Sequence, residues 1–394
     1  MLNSHYDVIV VGGAAVGSAA AYFLVANPDF TGSVLVIEKD LSYQYCATTL
    51  SAASIRHQFT TPENIQMSQF GTQFLREFAD TMKVNDDAPD PAFHEGGYLF
   101  LASTAEGKRH LEQNHHTQTQ LGAAIELLTP AQIQQRFNWM NTADLTAGAL
   151  GLAGEGWLDA YGMMQGMRRK ATALGARYHQ GIVVDVVKKN ATVTAVTLDD
   201  HTTITCDMLI NAAGTGATAL AQKMGIELPV ESKKRCVFYF QSPAQLPNCP
   251  MTIDPSGAYF RPEGDGFIAG ISPPADNDPI STDFDVQHEL FDELLWPLLA
   301  ERVPAFEALR LVRSWAGHYD MNTLDQNVII GSHPQLDNVL FANGFSGHGM
   351  QQAPAVGRAL SELIVYGHFR SLDLSRLGWD RILERKPIVE FNIV

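Results

Sequence analysis

The chain has 394 residues, of which 45% are hydrophobic and 18% charged. These are globular values that exclude disorder as its main state. Its 27 basic and 43 acidic side chains give a net charge of −16, which speaks against nucleic acid or an anionic membrane as partner. One buried arginine can still act locally on an anionic substrate. The length suits two or three domains and buries roughly three quarters of the chain's surface without staples. Cys46, Cys206, Cys236 and Cys249 show neither CxxC nor zinc spacing, so they are expected to be reduced thiols in a cytoplasmic protein with no metal site.

Residues 6–11 form a continuous apolar run, the pattern of a parallel strand buried on both faces. Residues 15–25 read as an Ala-rich helix stopped by Asn27-Pro28, and 33–38 as a second buried strand. The uncharged stretch 8–26 is nearly long enough to span a bilayer. No Lys or Arg precedes it and Gly12, Gly13 and Gly17 break it, so strand, turn and helix explain it better and no transmembrane segment is expected. A helix is predicted over 62–82 with Pro62 in its first turn, then a Pro/Asp loop into a strand by 100. A helix over 105–121 precedes an irregular stretch.

From Asp159 a helix leads to strands near 176–187 and 192–198, and a buried strand at 208–211 runs into AAGTG and another helix. Residues 231–272 alternate as antiparallel strands do. A Pro/Asp loop at 273–285, a helix over 286–299 and a short one near 304–310 follow. Strands at 311–319, 327–331 and 339–342 end in a glycine-rich turn and a helix. The sequence thus returns three times to one nucleotide-binding layer, and the antiparallel pieces are expected to form a second domain over its open edge.

Residues 10–17, VVGGAAVG, read from Gly12 as G-x-A-x-x-G, with Ala14 where the dinucleotide fingerprint has its middle glycine. A buried Gly/Ala helix start would mimic this. The preceding strand, the following helix and Glu38 about 20 residues on favour the fingerprint, with Glu38 accepting from ribose hydroxyls. NAAGTG at 211–216 either packs against phosphates or is an ordinary strand-to-helix turn. At 343–363, NGFSGHGMQQAPAVGRALSEL places exposed amides before a helix, a site for negative charge, unless it is a mere connector.

Together these motifs, with CATTLSAASIRHQF at 46–59 and WAGHYDMNTLDQNVIIG at 315–331, resemble the D-amino-acid-oxidase-like FAD-dependent oxidoreductases. The resemblance covers the whole chain. Its nearest branch holds sarcosine and dimethylglycine oxidases and dehydrogenases, together with a mitochondrial member linked to complex I assembly. It implies an α/β (α+β) fold: a Rossmann-like FAD-binding domain from 1–85, 150–228 and 322–394, and a substrate-binding domain, mainly antiparallel sheet, from 86–149 and 229–321. It implies non-covalent FAD held by Gly12, Gly13, Ala14, Ala15, Val16, Gly17, Glu38 and Lys39, by Ser51, Ala52, Ala53 and Val184, by Ala212, Ala213 and Gly214, and by Gly344, Gly347, His348, Gly349 and Met350.

The resemblance also implies that Arg56 binds a substrate carboxylate, for which a planar bidentate donor suits. Gln351 stands where the oxidases place a second cationic contact. Tyr259, Tyr319 and His318 are candidates for the substrate cage, or pack the roof sheet. Gly317 and Ser51 occupy positions where branch members bond the flavin through Cys or His, so covalent attachment is not expected. Ile268 stands where the monomeric oxidases carry an oxygen-activating lysine. The expected activity is therefore oxidation of a secondary amine or amino acid by hydride transfer to flavin N5. The implied acceptor is a quinone or electron-transfer protein rather than oxygen. The alternatives are an FAD-binding assembly protein with little turnover, a 2-hydroxy-acid dehydrogenase of the same fold, and an NAD-linked dehydrogenase, for which the terminal GHG has no use. Asp159 is expected to be an N-cap, and His110, Glu112, His115 and His116 to be solvated.

Overall fold

Apolar runs with no polar alternation become interior strands because both of their faces are covered. A computed structural model describes residues 2–274 and 277–391. In its first sheet the strand His5–Val11 lies between Val34–Glu38 and Thr203–Asn211, parallel to both. Val339–Asn343 extends this parallel set beyond Thr203–Asn211, and Arg177–Gln180 extends it beyond Val34–Glu38. The carboxyl ends of His5–Val11, Thr203–Asn211 and Val339–Asn343 are thus neighbours, and each runs into one of the three glycine-containing turns. Ile329–Ser332 closes that edge antiparallel. Thr192–Leu198 and Val183–Lys189 form an antiparallel arm on Thr203–Asn211.

Helices cover one face. Ala15–Val25 packs against Gly349–Tyr366, and Gly357 is what lets them approach, since a Cβ there would lie 2.5 Å from the backbone carbon of Ala19. The Ala15–Val25 helix is 11 residues long. Among the described residues no helix is long and apolar enough to cross a membrane.

The second sheet runs in the order Arg310–Asn322, Val230–Gln241, Gly266–Gly270, Tyr259–Glu263, Met251–Ile253, Tyr98–Ala102, Ala147–Gly151, Ile125–Leu128. Every pairing is antiparallel except Met251–Ile253 with Tyr98–Ala102.

Several elements depart from expectation. The helix expected over 62–82 breaks at Glu77 into Pro62–Arg76 and Phe78–Met82. The stretch expected to be irregular holds the strands Ile125–Leu128 and Ala147–Gly151 and the helix Pro130–Arg136, which starts on a capping box between Thr129 and Gln132. Ala147–Gly151 (AGALG) is buried on both faces and is mostly Ala and Gly, so it shows no alternation. The helix expected from 286 begins at residue 288, runs as a π-turn segment over Leu290–Leu295 and continues as Trp296–Arg302. Residues 275 and 276 of the expected Pro/Asp loop lie outside the described residues.

Candidate functional site

The first turn is shaped by three glycines that do not themselves line the cavity. Gly12 has φ +97°, and a Cβ there would lie 2.2 Å from the carbonyl oxygen of Ala212. A Cβ on Gly17 would lie 1.8 Å from the oxygen of Gly12, so helix and strand touch through it. The N–H of Gly13 donates to Glu38 Oε2 (2.8 Å), and that of Asp40 to Oε1 (3.0 Å). The buried Glu38 carboxylate thereby holds the turn to the end of the next strand. The helix that follows has no side-chain cap at Ala14. The hydroxyl of Thr48, a residue the sequence did not single out, accepts from Ala15 N–H (3.3 Å).

A cavity lies between the two sheets, with about 1360 Å3 of space free of protein atoms including its open mouth. It is lined by Ala14, Ala15 and Val16 at the first turn, Ala212 and Gly214 at the second, and Gly347, His348, Gly349 and Met350 at the third. Ser51, Ala52, Arg56, Tyr259, Tyr319 and Gln351 complete the expected set within it. Residues not anticipated also line it: Thr48, Ser54, Tyr98, Arg235, Cys236, Asp320 and Phe345.

Other expected residues stand back from the lining. Gly344 (φ +75°) donates its N–H to Asp320 Oδ2 (2.6 Å) and shapes the third turn from behind. Ala213 donates to Asn211 Oδ1 (3.2 Å), and Ala53 accepts from Leu158 N–H (3.0 Å). Lys39 is exposed, and Val184, 41% exposed, faces outward on the antiparallel arm. The structure does not bring these two to the cavity. Away from it, Asp159 is the N-cap of its helix, accepting from Gly162 N–H (2.9 Å).

Arg56 is fully buried at the inner wall. Its guanidinium donates to the carbonyl of Gln58, lies 3.1 Å from Nε2 of His348 and rests 3.9 Å from the ring centroid of Phe59. Gln351 uses its Oε1 to accept from the backbone N–H of Arg56 (3.0 Å) and from Ser68 Oγ (3.3 Å). Its clearest role is thus to fix the Arg56 segment. Burial pushes the phenols of Tyr259 and Tyr319 above their ordinary range, so both hydroxyls stay protonated. Burial also raises Asp320 to about 6.

FAD fits these residues on observations of the structure itself. Gly214 (φ +52°) and Gly347 (φ +91°) line the cavity, and a Cβ on either would meet nothing within 4 Å, so the space above their backbones is open. His318 Nε2 is buried at the wall with no partner among the described residues. Two helix N-termini without side-chain caps, at Ala14 and His348, open on the same space. These amide-lined mouths suit a pyrophosphate at one end and a negatively charged ring edge at the other.

The family described as "DAO: FAD dependent oxidoreductase" matches residues 7–363. FAD-dependent oxidoreductase domain-containing protein 1 of Xenopus laevis is 42% identical, over 98% of this chain and 85% of its own length. Human mitochondrial sarcosine dehydrogenase is 23% identical over 93% of the chain and 40% of its own length. Among solved structures, L-proline dehydrogenase from P. horikoshii superposes with a TM-score of 0.86 at 24% identity, covering 97% of this chain and 99% of that one. That likeness shows the fold.

Proposed function

The chain belongs to the DAO family of FAD-dependent oxidoreductases, and on that premise we propose that it oxidises the C–N bond of a secondary amine or amino acid. The electrons pass to a quinone or an electron-transfer protein rather than to oxygen. The observation that carries this reading is the buried guanidinium of Arg56 on the wall of the cavity that also holds the Gly349 helix mouth.

When bound, FAD supplies the acceptor for the hydride that leaves the carbon beside the amine nitrogen. The chain's own part is binding, orientation and charge. Arg56 presents a fixed planar donor to a carboxylate, and Gln351 and His348 hold it in place. Tyr259 and Tyr319 offer neutral hydroxyls from the roof. The amides at Gly349 and Met350 stabilise negative charge that develops against the helix mouth. The free amine needs no protein base, and water hydrolyses the resulting imine after release.

The dehydrogenase reading is supported by Ile268, buried on Gly266–Gly270, where the resemblance puts the oxidases' lysine. Its cross-strand partner Arg261 is a buried cation, but that guanidinium is committed to Glu263 and to the carbonyl of Ala52 (2.8 and 3.1 Å). A cytoplasmic setting suits the four cysteines, all of which are free thiols.

The test is anaerobic bleaching of the FAD-loaded protein with N-methylglycine, N,N-dimethylglycine, proline, other amino acids and 2-hydroxy acids, followed by admission of air. Bleaching by secondary amino acids with slow reoxidation is the expected result. Bleaching by 2-hydroxy acids alone, or by nothing in the panel, overturns the proposal, and the second outcome favours the assembly role.

A further inference from the structure

The cavity carries a second guanidinium, and we propose that Arg235 reads a second carboxylate, so that the substrate is an amine bearing an acidic group on each side of its nitrogen, an N-(carboxyalkyl) amino acid. This rests on the amine-oxidising reading above and narrows it.

Arg235 lies on Val230–Gln241 and lines both this cavity and an adjoining pocket, which also share Ser272 and Tyr319. The side chain is held on several sides. Nη1 and Nη2 meet the carboxylate of Asp278 in parallel (2.9 and 2.8 Å), Nη1 donates to the carbonyl of Lys234 (2.8 Å), and Nη2 donates to the hydroxyl of Tyr319 (2.6 Å). The guanidinium also lies 4.7 Å from the ring centroid of Tyr319. It therefore keeps one orientation, yet its Nε is buried with no partner among the described residues.

Tyr319 accepts from Arg235, so its own proton remains to be donated. Burial keeps that proton on the oxygen. An N–H and an O–H fixed beside a cation form the donor set that a carboxylate takes. Arg56 on the inner wall is the other guanidinium that lines this cavity. Asp278 need not leave, because the unused donors are not those it occupies. Its charge nevertheless opposes an incoming anion.

Iminodiacetate and its monoamide have the same length and differ by one negative charge. Each is titrated anaerobically into the FAD-loaded protein, and half-saturation is read from the flavin spectrum. Iminodiacetate is expected to half-saturate at a concentration at least about tenfold lower, which one charge-assisted contact supplies. Arg235→Gln is expected to collapse that ratio to within about twofold, and Asp278→Asn to widen it. Arg235→Lys, the fallback should the glutamine variant not fold, gives an intermediate ratio because the charge stays and the fork is lost. Equal half-saturation in the unmodified protein, or a ratio that Arg235 variants leave unchanged, overturns the inference. A response to N-methylglycine and the monoamide without gain from the second carboxylate removes this inference alone. No response to any of the three removes the amine reading with it.

Discussion

Nη2 of Arg56 stands 3.1 Å from Nε2 of His348. An arginine can only donate, so Nε2 is the acceptor and the imidazole proton sits on Nδ1. Burial first, and the Arg56 charge second, hold the imidazole well below its ordinary pKa and therefore neutral. The contact joins the Arg56 segment to the turn that opens the Gly349 helix, so in the function proposed above substrate and cofactor would share one support.

Arg56→Lys tests that support. The lysine keeps the charge but loses the planar fork and the bond to His348. KM for carboxylated amines is expected to rise at least about tenfold, with a smaller change in kcat and with the flavin retained. Steady-state kinetics together with the flavin absorbance ratio check this. An unchanged KM takes Arg56 out of substrate binding.

Glu155 gives the site a pH dependence. It is fully buried near Arg56, accepting from the N–H of His57 (2.5 Å) and from Gln58 Nε2 (2.8 Å). Burial pushes its pKa from 4.5 up to about 7, against the pull of those bonds and of Arg56. Because the folded value lies above the unfolded one, its contribution to stability is fully present below about 4.5 and is lost as the pH rises towards about 7. Ionised Glu155 also offsets the charge on Arg56. Thermal midpoints and carboxylate affinity should both fall between about pH 5 and 8, and Glu155→Gln should flatten both slopes. Parallel profiles for the two proteins would show that Glu155 does not titrate there.

Two glycines should separate fold from cofactor. At Gly17 a Cβ meets the backbone oxygen of Gly12 at 1.8 Å, so Gly17→Ala forces strand and helix apart and should cost about 1–3 kcal/mol in the thermal midpoint of the apoprotein. At Gly214 the new methyl meets nothing within 4 Å but enters the lined space, at φ +52°. Gly214→Ala should cost only about 1 kcal/mol of stability while weakening FAD binding severalfold. Calorimetry of apoprotein and flavin titration distinguish the two. Equal FAD affinity in Gly214→Ala would move the cofactor away from that turn.

The three turns were legible because each pairs an apolar strand with small residues, a pattern that close backbone approach requires at Gly12 and Gly17 and positive φ favours at Gly214 and Gly347. The second sheet was only half legible. Val230–Gln241 and Gly266–Gly270 show in the sequence, but Ala147–Gly151 is buried on both faces and carries no period. Arg235 and Asp320 escaped notice because nothing local marks them. The first acts through a loop residue 43 positions on, and the second through the N–H of Gly344 across a turn. The exposure of Val184 and Lys39 was not legible either, since the sequence does not tell a strand's outward face or its exposed end from its buried side.

The flavin should come free of the polypeptide. At Gly317 a Cβ would lie 2.8 Å from Cβ of Leu50, so the backbone has closed over the place where a cysteine would have to stand. The cavity does hold one thiol, Cys236, but it is buried and its pKa is raised by burial, which keeps it protonated and poorly nucleophilic. His318 is held neutral by burial and packs edge-on against Phe284 at 4.7 Å. Ser51, at the other candidate position, donates its hydroxyl to the carbonyl of Thr48 (2.8 Å), and its alcohol is no match for the Cys or His that forms such a bond. Acid precipitation of the FAD-loaded protein should therefore release all of the flavin to the supernatant, in Cys236→Ser as in the unmodified chain. Yellow colour retained in the pellet, and lost in Cys236→Ser, would identify that thiol as the attachment point.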